Sequence, residues 1–223
     1  MIYPDRGAAG RALGAVLEHL RAADPLVLGL PRGGVPVAVA VRKVIGGDLD
    51  ILLVRKLGVP WQPELAMGAI GEDGVRVLNY DVMRHTGVTA DQLAEIEHLE
   101  RAELERRRRV LRVRPPIPLK DRTVVIVDDG MATGATVAAG CEIAALHEPR
   151  RTVVAVPVSS VEALRRIRAL ADEVVCPLVP RSLGGVGGAY RDFHQLTDAE
   201  VVELLRPTTS RDADETDSRD PDR

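Results

Sequence analysis

Apolar residues in this chain alternate between short unbroken runs and helical periods, which predicts an α/β fold with a central, mainly parallel sheet flanked by helices. Unbroken runs are typical of strands buried on both faces, and they occur at 26–30, 51–54, 124–127, 152–157 and 173–178. Apolar residues spaced by three and four predict helices at 8–21, 35–45, 90–112, 137–146, 161–171 and 198–205.

Residues 60–112 depart from this alternation. Two short apolar runs, 66–70 and 75–79, flank a turn of glycine and acidic residues, and this pattern predicts an antiparallel hairpin. The long helix that follows begins with a capping box formed by Thr89 and Gln92. Its predicted apolar stripe consists of Leu93, Ile96, Leu99 and Leu104.

The composition fits one domain with an aliphatic core. Hydrophobic residues make up 45% of the 223 residues, but only one Trp, one Phe and three Tyr are present. We expect a single domain over 1–206, with its core at about 24–180 and a C-terminal accessory segment at about 181–206. Two cysteines without metal-ligand spacing, and the lack of a long apolar run or a signal-peptide pattern, favour a reduced, cytoplasmic protein that does not contact membranes.

Charge is concentrated at the C-terminus. Residues 207–223 contain six acidic residues and three arginines but no large apolar residue, so we expect a disordered acidic tail outside the domain. This tail carries the whole net charge of −3, and the rest of the chain is neutral. The charge pattern therefore does not indicate a globally basic protein that binds nucleic acid.

The strongest chemical signal lies in residues 124–136. Four β-branched residues are followed by Asp128 and Asp129, and then by a turn of small residues that opens a helix. Free backbone N–H groups and the helix dipole at such a turn favour a phosphate. The two carboxylates can accept from vicinal ribose hydroxyls or order Mg²⁺ through its water shell. The turn consists of Gly130, Met131, Ala132, Thr133, Gly134, Ala135 and Thr136.

An ordinary βα turn with an aspartate N-cap is the alternative, although a plain cap needs neither two acids nor two threonines. The segment resembles the phosphoribosyl-pyrophosphate (PRPP) motif of type I phosphoribosyltransferases, with its strand, acidic pair and Thr-Gly-x-Thr turn. The resemblance implies the type I phosphoribosyltransferase fold, in which a hairpin or loop and a small C-terminal hood accompany the sheet.

The resemblance also implies a Mg²⁺-dependent enzyme. Such an enzyme transfers the 5-phosphoribosyl group from PRPP to a nitrogen nucleophile, here expected to be a nucleobase, and releases pyrophosphate. Asp128 and Asp129 would organise Mg²⁺ through water at the ribose end, and residues 130–136 would hold the 5′-phosphate. A non-catalytic PRPP- or nucleotide-binding regulator remains the alternative, and enzymes of this fold commonly form homodimers.

Two further stretches are predicted to hold the pyrophosphate. Arg32, Gly33 and Gly34 follow a predicted strand, and the matching loop of the family binds this group. Arg55 and Lys56 follow the next predicted strand, and the Leu-Gly-x-Pro sequence after them is similar to adenine phosphoribosyltransferases. Cations near a leaving group stabilise the transition state more than the ground state. The alternative is that these charged side chains are solvated surface residues.

Residues 61–68 occupy the place of the family's mobile loop, whose closure excludes water from the reactants. Glu64 is a candidate to meet the proton of the nucleophile, and an exposed, inert position is its alternative. Trp61 is a candidate for stacking on a base, and a place in the aliphatic core is the alternative.

The glycine-rich stretch 184–195 is predicted to form the hood or an accessory loop. Tyr190 and Phe193 are candidates either for base stacking or for anchoring this loop to the core. His194 has no ligand partners in register, and we do not expect it to be catalytic. Ala132 stands where hypoxanthine-guanine transferases carry an aspartate, and adenine transferases also carry alanine there. This shifts the expected acceptor away from 6-oxopurines without identifying it.

Four consecutive arginines, Arg106 to Arg109, suggest RNA binding at first sight. Glutamates at spacings of three and four run along the same helix, however, and no aromatic residues are interleaved for stacking on bases. A solvated helix laced with ion pairs is the favoured interpretation, and an RNA-binding protein is the alternative.

Overall fold

A computed structural model describes residues 2–206, and the predicted acidic tail at 207–223 lies outside them. A five-stranded parallel sheet has the strand order β2-β1-β6-β7-β8, and a three-stranded antiparallel sheet has the order β3-β4-β5. The strands are β1 (Leu26–Gly29), β2 (Asp48–Ile51), β3 (Val54–Val59), β4 (Gln62–Gly71), β5 (Arg76–Leu78), β6 (Thr123–Val127), β7 (Arg151–Ala155) and β8 (Glu173–Val175). The predicted fold class, a mainly parallel sheet with an antiparallel hairpin, is confirmed.

Helices cover both faces of the parallel sheet. They are α1 (Arg6–Val16), α2 (Gly34–Ile45), α3 (Tyr80–Thr86), α4 (Ala90–Leu111), α5 (Ala135–Ala145), α6 (Val161–Ile167) and α7 (Asp198–Leu205). On one face, α1 and α2 pack closely together: a Cβ added to Gly10 would lie 2.6 Å from the Cβ of Ala40. On the other face, α5 lies between the two sheets, and its Ile143 shares a core with Ile126 of β6 and Ala69 of β4.

The prediction of one core strand at 51–54 was wrong. β2 ends at Ile51 in the parallel sheet, and β3 begins at Val54 in the antiparallel sheet. All four residues are buried, and an unbroken apolar run gives no sign of such a change in direction. Arg55 and Lys56 consequently lie inside β3 and do not follow the end of a parallel strand. The other predicted core strands are confirmed, although three end earlier, at Gly29, Ala155 and Val175.

The antiparallel sheet confirms the predicted hairpin and enlarges it. β4 pairs with β5 as expected, but it also pairs with β3, whose register is interrupted near Gly58. The predicted mobile loop at 61–68 is therefore mostly the first part of β4, and only the turn at Pro60 and Trp61 lies outside a strand.

Helix boundaries follow the sequence signals with two exceptions, the first helix and the helix predicted at 161–171, which ends at Ile167. The capping box of Thr89 and Gln92 is present at the start of α4. The predicted stripe is wrong at Leu99, which is 62% exposed, whereas Leu93 and Leu104 are buried. The first helix ends at Val16 and continues as a 3-10 helix over Glu18–Ala23 rather than as one α-helix to residue 21.

An ion network at the end of α4 joins the two sheets. Arg112 donates to Asp50 of β2 at 2.6 Å and to Glu72 after β4 at 2.9 Å. The second carboxylate oxygen of Asp50 accepts from the backbone N–H of Ile117 at 2.9 Å. Asp50 is only 4% exposed, so its charge depends on these partners.

We expect Arg112→Ala to lower the free energy of unfolding by about 3–5 kcal/mol, because it leaves a buried carboxylate without a cation. Urea denaturation measures the change. Arg108→Ala is the matched control, since Arg108 pairs with Glu105 on the exposed side of the same helix and should cost less than about 1 kcal/mol. Equal losses of unfolding free energy in the two variants would show that the buried ion network does not stabilise the fold.

The N-terminus and the glycine-rich C-terminal stretch form one unit over the carboxyl end of the parallel sheet. The Tyr3 N–H donates to the Ala189 carbonyl at 2.8 Å, and the Arg191 N–H donates to the Tyr3 carbonyl at 2.9 Å. Their rings also pack, because the centroids of Tyr3 and Tyr190 are 5.8 Å apart. We call residues 178–196 the hood. The N-terminal segment around Tyr3 is bonded to it, a contact that sequence patterns did not reveal.

Candidate active site

The acidic pair lies directly after β6, at the carboxyl end of the parallel sheet. Burial and the neighbouring Asp129 carboxylate raise the pKa of Asp128 well above its usual range. Burial also raises the pKa of Asp129, against the opposing hydrogen bond from Arg6, whose Nε lies 2.9 Å from Asp129 Oδ2. Within residues 2–206 this crowded pair has one cationic partner, so a second cation would favour the ionised form of both carboxyl groups.

The loop after β1 that contains Gly33 and Gly34, which we call the glycine loop, lies directly against the acidic pair. A Cβ on Gly33 would lie 2.0 Å from Asp129 Oδ2, and one on Gly34 would lie 2.4 Å from the Val127 carbonyl oxygen. Only glycine fits such a close approach. Within residues 2–206, the backbone N–H groups of Arg32 and Gly33 have no hydrogen-bond partner, and the Pro31–Arg32 peptide is cis. The loop thus offers N–H donors beside the acidic pair.

The small-residue turn between β6 and α5 also offers backbone N–H donors, and it directly follows the acidic pair along the chain. Gly134 adopts a left-handed φ of 71°, which glycine tolerates without strain. The N–H groups of Ala132, Thr133 and Gly134 lack partners within the described chain, 2–206. A hydrogen bond from the loop after β7 stabilises the turn: the Ser160 hydroxyl donates to the Ala132 carbonyl at 2.7 Å. These open N–H groups at the start of α5 are suited to a phosphate.

Strand order explains why these two loops meet. β1 and β6 are neighbours, but the chain continues from β1 to β2 on one side and from β6 to β7 on the other. The helices that follow them, α2 and α5, accordingly pack on opposite faces of the sheet. A crevice at such a topological switch point is where open α/β sheets bind ligands.

The family model for the phosphoribosyl transferase domain matches residues 6–188. The chain belongs to the phosphoribosyl transferase family. The match covers the acidic pair, the glycine loop and the turn, which lie together at the switch point, and it includes most of the hood. The family resemblance drawn from residues 124–136 is thereby confirmed.

Individual relatives agree with this family assignment. Two proteins of Mycobacterium tuberculosis, from strains CDC 1551 and H37Rv, each named "putative phosphoribosyl transferase", are 51% identical over 205 residues. The alignment covers 92% of this chain and 46% of either relative, so the chain spans about half the length of the curated relatives it matches. The crystal structure of TT1426 from Thermus thermophilus is 45% identical, with a TM-score of 0.85, and the match covers 92% of this chain and 98% of that chain.

Two of the cations predicted to hold pyrophosphate lie beside the switch point of this phosphoribosyltransferase domain. Arg55 and Lys56 line a pocket of about 260 Å³ together with Pro31 and Thr136. Thr136 ends the turn 130–136, which we call the phosphate turn after its predicted role. Arg107 of α4 also lines this pocket. One member of the arginine run thus reaches the site, which the interpretation of α4 as a solvated helix did not foresee.

Each predicted cation has a carboxylate partner within the domain. Arg55 Nε is 2.5 Å from Glu100, Lys56 Nζ is 2.7 Å from Glu64, and Arg32 is 3.7 Å from Asp198. These pairs are partly exposed, so they hold the side chains only weakly and can open for a polyanion. The role of the three cations in binding pyrophosphate stays a prediction.

Glu64 bridges the antiparallel sheet and the phosphate turn. One carboxylate oxygen accepts from Lys56, and the other accepts from the Thr133 hydroxyl at 2.9 Å. The hydrogen bond from Lys56, followed by that from Thr133, lowers the pKa of Glu64. A lowered pKa weakens a carboxylate as a proton acceptor near neutral pH. The structure therefore favours a bridging role for Glu64 over the predicted role toward the nucleophile's proton.

The two stacking candidates in the hood anchor it instead. Tyr190 is 6% exposed, and its hydroxyl donates to the Asp129 carbonyl at 2.5 Å. Phe193 stacks on Tyr190 at a centroid distance of 5.0 Å, while the Arg6 guanidinium lies 3.9 Å from its centroid. Because these contacts occupy both rings, we correct the stacking prediction for Tyr190 and Phe193. Trp61, in contrast, is 56% exposed at the hairpin turn and is not a core residue.

Sequence reasoning missed Arg6 altogether. This residue lies in the first turn of α1, before the predicted start of that helix, yet its side chain reaches Asp129. Nothing in its local sequence indicates a site residue, because the contact spans more than a hundred positions along the chain. His194 lies at the surface between Asp192 and Glu200, and its hydrogen bond with Asp192 raises its pKa.

The donor set at the acidic pair fits Mg²⁺ better than a metal caged by protein ligands. Carboxylate oxygens are hard ligands, and Mg²⁺ is usually bound by one or two of them together with waters and substrate phosphates. Among the described residues no group of three or more His, Cys, Asp or Glu side chains is arranged to hold a metal ion. Burial raises the pKa values of both carboxyl groups, and a divalent cation between them would lower these values by stabilising the ionised forms.

No helix among residues 2–206 combines the length and the apolar character needed to span a membrane.

Proposed function

We propose that this phosphoribosyltransferase transfers the 5-phosphoribosyl group from PRPP to a nitrogen nucleophile, with a nucleobase as the acceptor class, and that it requires Mg²⁺. The observation that carries the proposal is the contact between the glycine loop and the acidic pair. Gly33 leaves no room for a Cβ beside Asp129, so pyrophosphate donors and ribose acceptors are held together at one crevice.

Each part of the site has a role in this proposal. The open N–H groups of residues 132–134 hold the 5′-phosphate, and those of Arg32 and Gly33 hold the pyrophosphate. Asp128 and Asp129 accept from the ribose hydroxyls and hold the cation through water. Bound Mg²⁺ would offset the charge of the departing pyrophosphate.

Bond breaking at the ribosyl carbon needs positioning and charge stabilisation more than a strong base. Arg32, Arg55 and Lys56 would stabilise the negative charge that grows on the leaving group. The lowered pKa of Glu64 agrees with this view, since the side chain is placed to link Lys56 to the phosphate turn rather than to take a proton. The acceptor loses its proton to solvent or to the departing pyrophosphate.

Calorimetric titration with PRPP in the presence and absence of Mg²⁺ tests the binding part of the proposal. Micromolar affinity, on the order of −8 kcal/mol, that depends on Mg²⁺ supports it. A screen of nucleobases for pyrophosphate release then tests transfer. PRPP binding without release for any base would favour a non-catalytic PRPP-binding regulator, and no PRPP binding would refute the proposal.

The single tryptophan reports on closure of the hairpin. Trp61 lies 56% exposed at the turn between β3 and β4, next to the Lys56–Glu64 pair that touches the phosphate turn. We expect PRPP with Mg²⁺ to shift its fluorescence to shorter wavelength and to protect it from acrylamide, because closure excludes water. Inorganic phosphate alone is the control. Unchanged quenching at saturating PRPP would contradict a closing hairpin.

A homodimer and a cytoplasmic location also belong to the proposal rather than to the findings. Sedimentation at several protein concentrations tests the homodimer.

RNA binding by the arginine run of α4 loses support, because three of these arginines have carboxylate partners. Arg106 pairs with Glu103 and Asp198, Arg107 pairs with Glu103, and Arg108 pairs with Glu105.

A further inference from the structure

Arg6 joins three separate parts of the molecule at the acidic pair. Its Nε lies 2.9 Å from Asp129 Oδ2, and its Nη1 donates to the His194 carbonyl at 3.0 Å. Its guanidinium also covers the Phe193 ring at 3.9 Å. Only 9% of the side chain is exposed, so the guanidinium has little freedom to move away from these partners.

Two further contacts restrain Asp129. The Tyr190 hydroxyl donates to its backbone carbonyl at 2.5 Å, and the absence of a Cβ at Gly33 makes room for Oδ2. The hydrogen bond from Arg6 Nε holds Oδ2 toward the guanidinium. The other oxygen, Oδ1, has no donor among residues 2–206 and is available to accept from a ribose hydroxyl or from a water of the cation shell.

Charge gives Arg6 a second effect. Within residues 2–206, it is the only cation that forms an ion pair with either acid of the pair. PRPP brings several negative charges to a place where two carboxylates already lie side by side. A fixed positive charge that offsets one of them reduces this repulsion, and it does so in a partly desolvated position where charges interact strongly.

We propose that Arg6 is a positioning residue for PRPP: it orients Asp129, offsets its charge and thereby links the hood to the PRPP site. The inference rests on the proposed PRPP-binding function. A purely structural role, in which Arg6 only ties the hood to α1, is the competing explanation. The two explanations differ because the hood contacts, to Phe193 and the His194 carbonyl, are separate from the contact to Asp129.

Three variants separate these explanations. Arg6→Gln removes the charge. Arg6→Lys keeps the charge but lacks the planar guanidinium that donates to Asp129 and to the His194 carbonyl at once, and Phe193→Leu removes the hood contact while sparing Asp129. PRPP affinity is measured by calorimetry at one fixed Mg²⁺ concentration, and thermal unfolding is followed in parallel.

We expect Arg6→Gln to raise the Kd for PRPP about tenfold or more, equivalent to about 1.4 kcal/mol, and Arg6→Lys to raise it about threefold. Phe193→Leu should lower the melting temperature yet leave Kd within about twofold of wild type, on the same scale. If the glutamine variant does not fold, the comparison between Arg6→Lys and Phe193→Leu retains the test.

An unchanged Kd in the Arg6 variants, or an equal rise in Phe193→Leu, would overturn the inference while wild-type binding leaves the proposed function intact. Absence of PRPP binding to the folded wild-type protein would instead overturn both.

Discussion

Replacing both acids, Asp128→Asn with Asp129→Asn, is expected to abolish PRPP binding and transfer while the protein remains folded. Asparagine has the same shape but cannot carry the negative charge that holds a divalent cation through its water shell. The fold should persist, because burial raises the pKa of both carboxyl groups and an amide oxygen in place of the Asp129 carboxylate can still accept from Arg6. We expect Kd to increase beyond the range of calorimetry. The melting temperature should fall, because Arg6 loses its anionic partner, but the protein should remain folded at the assay temperature.

The control for this experiment is Asp192→Asn. Asp192 lies at the surface of the hood, where its hydrogen bonds with His194 lower its pKa, and it has no contact with the acidic pair. PRPP affinity should be unchanged in this variant. Near-normal PRPP binding or turnover in the double variant would refute the assignment of Asp128 and Asp129 to the site.

Gly33→Ala should be nearly as severe as loss of the acids, although it changes no charge. The new Cβ would lie 2.0 Å from Asp129 Oδ2, so either the carboxylate or the glycine loop must shift. A shift of the carboxylate breaks the Arg6 contact, and a shift of the loop withdraws the N–H donors proposed for pyrophosphate. We expect PRPP affinity to fall at least about 100-fold, roughly 2.7 kcal/mol.

Gly184→Ala provides the matched glycine control, since a Cβ there meets no atom within 4 Å and the backbone angle is ordinary. It should bind PRPP as wild type does. Crystal structures of both variants would show whether Asp129 has moved. If Gly33→Ala kept wild-type affinity, the close contact between the glycine loop and the acidic pair would not matter for binding.

Local chemistry explains why the central motif could be found without coordinates. A buried strand, two acids and a turn of small and hydroxyl residues are consecutive in 124–136, so their geometry follows from backbone hydrogen bonding over a few residues. The parallel sheet was predictable for a similar reason, because β-branched runs between amphipathic helices leave few other topologies. The capping box of Thr89 and Gln92 is equally local, and it is present at the start of α4.

Errors arose where the sequence signal was ambiguous or nonlocal. Residues 51–54 are equally apolar whether they form one strand or the link between two sheets, and only packing against α5 and α4 separates these cases. For Tyr190 and Phe193 the sequence left base stacking and anchoring open, and only the contacts with the N-terminal segment and Arg6 favour anchoring. Lys56, Glu64 and Thr133 are linked only because the β3-β4 hairpin folds back onto the phosphate turn.

The sequence by itself determined the fold class, the family and the place of the acidic pair and the small-residue turn after β6, because each is encoded in contiguous residues whose interactions are short-range. Tertiary structure alone decided that Gly33 contacts Asp129, that Arg6 pairs with it and that Glu64 joins Lys56 to Thr133. These contacts depend on how strands and helices are placed by long-range packing, and no local pattern records that placement.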